Sequence, residues 1–236
     1  MQLFFADNLD SDLYTLSPEE SKHCVKVLRM VAGHELHLTD GMGTLCRCRV
    51  VAPDPKGCVV EVIERTANYE QRNHHLHLAV APTKNTARLE WFVEKAVEVG
   101  IDEITPILCD NSERMVLKTE RIEKIVVSAM KQSLKAYKPK VNQPVKLMDF
   151  IDQMAGAHDL KKMMCYCDGD NRTPIQDIYT KGENALVLIG PEGDFSPREI
   201  EKSLASDFKP VTLGTCRLRT ETAALYATVA INFMNS

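Results

Sequence analysis

Near residue 74 the patterning of the chain changes, and this change limits the fold more than any other feature. Before it, the short apolar runs 35–38, 45–51 and 58–63 are divided by turn signals at Asp40-Gly41, Pro53-Asp54-Pro55 and Lys56-Gly57. Runs of that length and spacing predict a small β-barrel. One helix is expected over 18–28, with Ser17 as its cap and Pro18 in its first turn. The polar stretch 68–73 reads as a linker, so a barrel over residues 1–70 precedes a second domain over 74–236.

From His74 onward, strand and helix patterns alternate. A strand over 75–80 is followed by Leu89, Phe92, Val93, Ala96 and Val97 at helical spacing, with Gly100 as the stop. A strand over 104–108 leads to a long amphipathic helix. That helix has Thr119 as its cap and Ile122, Ile125, Val126, Ala129, Met130, Ser133 and Tyr137 on one face. The segments 163–167, 185–189 and 211–213 are short and apolar, as strands buried on both faces of a parallel sheet are. The fold class is therefore α/β, and 236 residues give such a domain a core of its own.

Composition excludes some function classes. No apolar run approaches the length of a membrane span, and MQLFFADNLD lacks the basic start of a signal peptide. The chain is thus expected in the cytoplasm, away from membranes. Eight cysteines raise the question of zinc. Cys46/Cys48 and Cys165/Cys167 are C-x-C pairs, however, not the C-x2-C of a zinc knuckle, and no metal is expected. Adjacent His74 and His75 point to opposite faces of a strand, and with His77 they read as linker and strand residues. The net charge of −4 does not mark a nucleic-acid binder, yet residues 111–146 carry nine Lys/Arg against three Asp/Glu. A local basic surface can steer a polyanion even on an acidic chain.

Two loops carry the chemistry. The first is Leu188-Ile189-Gly190-Pro191-Glu192-Gly193-Asp194-Phe195-Ser196-Pro197-Arg198-Glu199. A buried strand ends at Gly190, and the two glycines allow a tight turn and close approach to a ligand. Ser196 then caps a helix, Pro197 opens it and Glu199 completes a capping box, with Phe195 and Ile200 placed as a hydrophobic staple. The second loop is Leu213-Gly214-Thr215-Cys216-Arg217-Leu218-Arg219, with Thr220 as the expected cap of a helix over 222–233. That helix is apolar nearly all round, so most of its sides are expected to be buried. Neither loop is a Walker A motif or a G-x-G-x-x-G fingerprint. In parallel α/β sheets, ligands bind at the carboxyl ends of strands. The residues alone thus give an α/β ligand-binding domain with a basic flank.

Taken together, Gly190-Pro191-Glu192-Gly193 and Leu213-Gly214…Leu218-Arg219-Thr220-Glu221-Thr222-Ala223 resemble the signature of the RsmE family of SPOUT methyltransferases. His23-Cys24-Val25-Lys26-Val27-Leu28-Arg29 with Asp40-Gly41 is similar to the family's N-terminal segment. Glu90…Lys95-Ala96…Glu98…Gly100, Ser112-Glu113-Arg114 and Gln132-Ser133 match further along, while Asp194 takes the place of a loop glycine. The resemblance implies a PUA-like β-barrel before a trefoil-knotted α/β domain, acting as a homodimer. It implies S-adenosylmethionine as cofactor and N3 of a uridine in small-subunit (16S) ribosomal RNA as the methyl acceptor. A methyltransferase acting on another RNA and a noncatalytic RNA-binding protein of the same fold are the alternatives.

Carried over from the family, Leu188, Ile189, Gly190, Pro191, Glu192, Gly193, Leu213, Gly214, Cys216 and Leu218 would line the cofactor pocket. Arg219 could hold negative charge developing on a uracil oxygen, and Glu192 or Glu221 could accept the N3 proton. Arg29, Arg47 and Arg49 of the barrel, with Lys84, Arg88, Arg114, Lys131, Lys135 and Lys138, are the expected RNA contacts.

Overall fold

The computed structural model describes residues 1–167 and 172–236. Two compact units are present: Met1–Gln71 together with Val127–Lys138, and Arg72–Val126 together with Pro139–Ser236.

The first unit is built on strands β1 (Leu3–Phe5), β2 (Leu13–Thr15), β3 (Glu35–Thr39), β4 (Leu45–Ala52) and β5 (Val59–Thr66). They lie in the order β1-β3-β4-β5-β2, antiparallel except for the β1–β3 pair. Period-two alternation turns Leu36, Leu38, Cys46, Cys48, Val50 and Val60 into one core. Both residues of the first C-x-C pair are thus interior groups. The short β1 and β2 lack a run long enough to be read from sequence. Ser17 accepts a hydrogen bond from the Glu20 amide and starts α1 (Pro18–Lys22). The expected helix over 18–28 continues as a π-helical turn, His23–Val27, which buries Cys24 with its Sγ 4.0 Å from that of Cys58. Burial pushes the Cys24 thiol up to about 12, as expected for a thiol packed as a small apolar group.

The second unit carries an all-parallel sheet. Its strands are β6 (Leu76–Val80), β7 (Glu103–Leu108), β8 (Lys140–Val141), β9 (Val145–Lys146), β10 (Leu160–Cys165), β11 (Thr173–Pro174), β12 (Asn184–Ile189) and β13 (Lys209–Thr212). Their order is β11-β13-β10-β12-β6-β7-β8, with β9 also pairing β7. Helices α2 (Thr86–Val99), α4 (Leu147–Gln153), α5 (Ile175–Ile178), α6 (Pro197–Ala205) and α7 (Thr220–Asn235) connect and flank these strands, while α3 (Thr119–Gln132) belongs to this unit up to Val126 and to the first from Val127. Strand β6 is buried at every residue, and β12 at all but its first. This accounts for their largely apolar sequence, with His77 the one polar residue buried within β6. A fully buried Leu, Ile or Val contributes about 1.5–3 kcal/mol relative to exposure. The central strands therefore hold the sheet against the entropy of its connecting loops.

Two helix expectations need correction. The long helix ends at Gln132 rather than reaching Tyr137. Leu134 adopts a left-handed φ of 60°, and the Ser133 hydroxyl donates back to the Ala129 carbonyl at 2.7 Å, which closes the last turn. Thr220 does not cap α7. Arg219 occupies the cap position and makes no side-chain capping bond, while the Thr220 hydroxyl donates to the Gly190 carbonyl at 3.0 Å. As expected, α7 is covered on most sides: it packs on α2, β6, β12 and α5, and Tyr226, Val229 and Phe233 are 50, 45 and 78 % exposed along one stripe.

Candidate active site

Strands β10, β12 and β13 are neighbours in a parallel sheet, so the loops at their carboxyl ends leave from one edge. The loop after β12 is fixed from both sides. Glu199, 1 % exposed, accepts from the Ser196 amide at 2.8 Å, and Ser196 Oγ accepts from the Glu199 amide at 3.3 Å. The capping box expected from sequence is therefore formed. The same Glu199 carboxylate also accepts from the Asp110 amide at 2.9 Å, which ties α6 to the loop after β7. Phe195 and Ile200 pack into the core beneath. Asp194 takes the left-handed φ of 60° that glycine would tolerate more easily, and its carboxylate accepts from the Cys167 amide at 2.8 Å. The Asn111 side-chain amide donates to the Gly193 and Asp194 carbonyls at 3.2 and 3.1 Å.

The loop after β13 turns at Gly214, whose φ of 121° excludes most side chains and whose Cβ direction faces open space. Beside it lies a cleft of about 470 Å³ lined by Arg172, Ile175, Gln176, Leu213, Gly214 and Tyr226, among others. A smaller hollow of about 70 Å³ adjoins it, with Cys165, Cys167, Cys216, Leu218 and Ala223 in its wall. The two share Arg172, Thr212, Leu213 and Gly214.

The residues expected to bind cofactor thus divide. Leu213, Gly214, Cys216 and Leu218 line these hollows. Leu188 and Ile189 lie inside β12, and Gly190 and Pro191 are buried behind it. A Cβ at Gly190 would stand 3.0 Å from the Phe195 ring, so packing within the chain requires a glycine here. A Cβ at Gly193 would likewise press on Asn111, at 3.1 Å. Sequence reasoning did not find Cys165, Tyr166, Cys167, Arg172, Ile175, Gln176 or Tyr226 as lining residues. The C-x-C pair at the end of β10 was visible, but nothing local says that β10 lies beside β13.

The proposed acid–base groups also separate. Arg219 is exposed at the start of α7. Glu192 is exposed, and its Oε1 accepts from the Lys84 amide at 3.1 Å. Glu221 is 7 % exposed, with Oε1 3.8 Å from Arg88 Nε. Its Oε2 is sealed from solvent and has no hydrogen-bond partner among the described residues.

Most of the expected RNA-contacting cations have partners within the chain. Arg47 pairs with Glu35 and Glu64 at 3.3 and 3.2 Å, and Arg49 lies 3.9 Å from Glu35. Lys84 pairs with Glu113 at 2.7 Å, and the Arg114 guanidinium donates to the Lys84 carbonyl at 2.8 Å. Lys131 holds the buried Glu20 at 2.7 Å, Lys135 lies 3.6 Å from Glu70, and Lys138 stands 5.7 Å over the Phe5 ring. Arg29 is exposed with a left-handed φ of 54°.

Comparison with known proteins bears on this arrangement. Residues 70–232 match the model of the RNA methyltransferase domain, and residues 16–63 match that of the RNA methyltransferase PUA domain. The ribosomal RNA small subunit methyltransferase E of Mesomycoplasma hyopneumoniae is 31 % identical over 177 residues, 73 % of this chain and 75 % of that protein. A solved structure from Porphyromonas gingivalis, described as a probable rRNA-methyltransferase, superposes with a TM-score of 0.91 at 40 % identity, covering 100 % of this chain and 98 % of that one. A methyltransferase of Legionella pneumophila, solved in complex with S-adenosylmethionine, superposes with a TM-score of 0.85 at 26 % identity over 99 % of this chain and 97 % of that one.

Proposed function

Because the chain belongs to the ribosomal RNA small subunit methyltransferase E family, we propose that it transfers a methyl group from S-adenosylmethionine to N3 of a uridine in small-subunit (16S) ribosomal RNA. The observation that carries this reading is the cleft at the carboxyl end of β13, walled by α5 and Tyr226 of α7 and adjoining the hollow at the end of β10, next to the loop that ends at Arg219. Its volume falls in the range of ligand sites, about 300–1,000 Å³. The residues present fit the cofactor. Leu213, Leu218, Ile175 and Ala223 offer apolar wall to an adenosine, and Gln176 and Arg172 add polar groups. The open space over Gly214 lets a ligand reach the main chain. When bound, S-adenosylmethionine supplies a methyl group activated by its positive sulfur.

The chain's own residues must then deal with the N3 proton. An N3–H is a poor nucleophile until the proton leaves, and the charge that remains spreads onto the uracil oxygens. Arg219 carries a permanent positive charge and cannot be the base, so its role is to hold that oxygen charge. Of the two candidate carboxylates, Glu192 is the one an incoming base can reach, and we assign proton acceptance to it. Glu221, sealed against Arg88, anchors the first turn of α7. Holding the reacting atoms in line supplies much of the remaining rate.

In this reading residues 1–70 form the RNA-binding, PUA-like barrel and 74–236 the catalytic domain, knotted as a trefoil at its C-terminal end. The bond from Thr220 to Gly190 and the packing of α7 on α2, β6 and β12 support that threading. The exposed stripe of Tyr226, Val229 and Phe233 supports a homodimer built on α7. Arg47 and Arg49 sit in exposed, solvent-screened pairs that RNA phosphates can replace, and Arg29 joins them as a contact. The reaction belongs in the cytoplasm, where ribosomal subunits are built.

The test is transfer of labelled methyl to ribosomal subunits from a strain lacking the gene, followed by nucleoside analysis. The expected product is N3-methyluridine confined to the small-subunit RNA. Transfer to another RNA, or cofactor binding without transfer to any RNA, overturns the assigned substrate. Arg219→Ala should abolish turnover and leave cofactor affinity within about twofold; loss of cofactor binding refutes its role.

A further inference from the structure

The loop after β7, residues 109–118, carries no group of the proposed reaction, yet it is bonded to the loop after β12 at several points. The Asp110 amide donates to Glu199 at 2.9 Å, and Asp110 Oδ2 accepts from Ser196 Oγ at 2.6 Å. The Asn111 side-chain amide donates to the carbonyls of Gly193 and Asp194, the two residues that follow Glu192. The same loop reaches Glu192 by a second route, through Lys84.

Lys84 lies in the loop after β6 and is held at its amide, its carbonyl and its side chain. The amide donates to Glu192 Oε1 at 3.1 Å, the ammonium pairs with Glu113 at 2.7 Å, and the carbonyl accepts from Arg114 Nε and Nη2 at 3.3 and 2.8 Å. The rest of that loop is fixed as well. The Ala81 amide donates to the Ile189 carbonyl at 3.0 Å, and the Thr83 hydroxyl donates to the Asn85 carbonyl at 2.7 Å. Arg114 is partly exposed and makes no ion pair with an acidic side chain among the described residues. A guanidinium kept for RNA phosphate would point its donors outward. This one spends Nε and Nη2 on one neutral carbonyl oxygen, and a bond from a charged donor holds that carbonyl more firmly than a neutral one would. Glu192 in turn has Oε1 tied to the Lys84 amide and Oε2 without a partner among the described residues. A glutamate loses its rotamer freedom only when something holds it. Fixed at one oxygen, it presents the other along a set direction, as a general base must.

We propose that Arg114 is a positioning residue for Glu192. It fixes residue 84 through the carbonyl, and the amide of the same residue fixes the carboxylate that takes the N3 proton on its other oxygen. Arg114 therefore acts on turnover and not on RNA affinity, unlike the phosphate contact that its charge suggests in the sequence. Asn111 steadies the same carboxylate from the main chain that follows it.

The assignment rests on Glu192 being the base, and a double-mutant cycle keeps the two apart. Methyl transfer to small ribosomal subunits is measured for the wild type, Arg114→Ala, Glu192→Gln and the double variant, with kcat and KM for the subunit determined separately. Calorimetry gives the S-adenosylmethionine affinity and the melting point of each. An undiminished kcat in Glu192→Gln removes the base, and this inference with it. Where that variant is impaired, Arg114→Ala should lower kcat by about tenfold or more, part of the about 10²–10⁴-fold that a positioned base supplies, with KM and cofactor affinity within about twofold of wild type. Arg114→Lys, which keeps one donor, should stand between the two. Adding Arg114→Ala to Glu192→Gln should cost less than about twofold, because the group it positions is already gone. A merely structural role lowers the melting point and falls equally on both backgrounds. An unchanged kcat in Arg114→Ala, a raised KM at constant kcat as loss of a phosphate contact gives, or an equal loss in both backgrounds overturns the proposal.

Discussion

Replacing Glu199 by glutamine removes one carboxylate oxygen from a site that water cannot reach. Its two oxygens accept from the amides of Ser196 and Asp110 at 2.8 and 2.9 Å, and the residue is 1 % exposed. Glutamine keeps one acceptor and turns an NH2 group toward the other amide, donor against donor. A hydrogen bond to a charged group is worth about 1.5–3 kcal/mol, and a buried donor left unpaired costs about 1–3 kcal/mol. Glu199→Gln should therefore lower stability by about 2–3 kcal/mol, and Glu199→Ala, which loses both bonds, by about 3–6 kcal/mol. For a chain of this size, 1 kcal/mol moves the melting point by about 2–4 °C. Calorimetry should find the glutamine variant melting roughly 4–12 °C lower. Because the same carboxylate holds α6 to the loop after β7, S-adenosylmethionine affinity should fall with stability. A loss below about 0.5 kcal/mol refutes the reasoning, since it would mean that the Asp110 and Ser196 amides find other partners without cost.

Burial drives the His77 imidazole down to about 4 from its usual 6.5, with Nε2 2.7 Å from Thr105 Oγ1. The unfolded chain then binds more protons than the folded one between those two values. Stability should be full above pH 6.5 and fall by an amount on the order of 3 kcal/mol as pH drops toward 4. An NMR titration that finds the His77 ring protonated by pH 6 contradicts this. Gly43→Ala places a Cβ 2.4 Å from Tyr137 Cζ at a φ of 101°. It should cost at least about 1–3 kcal/mol in urea denaturation, and a neutral result removes the glycine argument. Thr220→Val deletes the hydroxyl that donates to the Gly190 carbonyl at 3.0 Å. A loss of about 1–2 kcal/mol and weaker cofactor binding should follow in calorimetry. Phe233→Asp charges the exposed stripe of α7 and should give a monomer in sedimentation; an unchanged dimer places the interface elsewhere.

Local chemistry made much of this protein readable. The capping box of Ser196 and Glu199, the stop at Gly100 and the apolar β6 and β12 are written in residues close along the chain. Their hydrogen bonds and burial arise within a few positions of one another. The order of loops along the chain, with Gly190-Pro191-Glu192-Gly193 before Leu218-Arg219-Thr220-Glu221, was enough to place it beside a family. The errors came where a distant segment competes for a side chain. Thr220 has the composition of a helix cap, yet its hydroxyl goes to Gly190, thirty residues earlier. Glu192 and Glu221 look equivalent in the sequence, and one is exposed while the other is sealed against Arg88. The cleft wall was hidden for the same reason. Cys165 to Cys167 meet Leu213 to Leu218 because β10 lies beside β13, and strand order in a parallel sheet is set by long crossovers that leave no periodic trace in sequence.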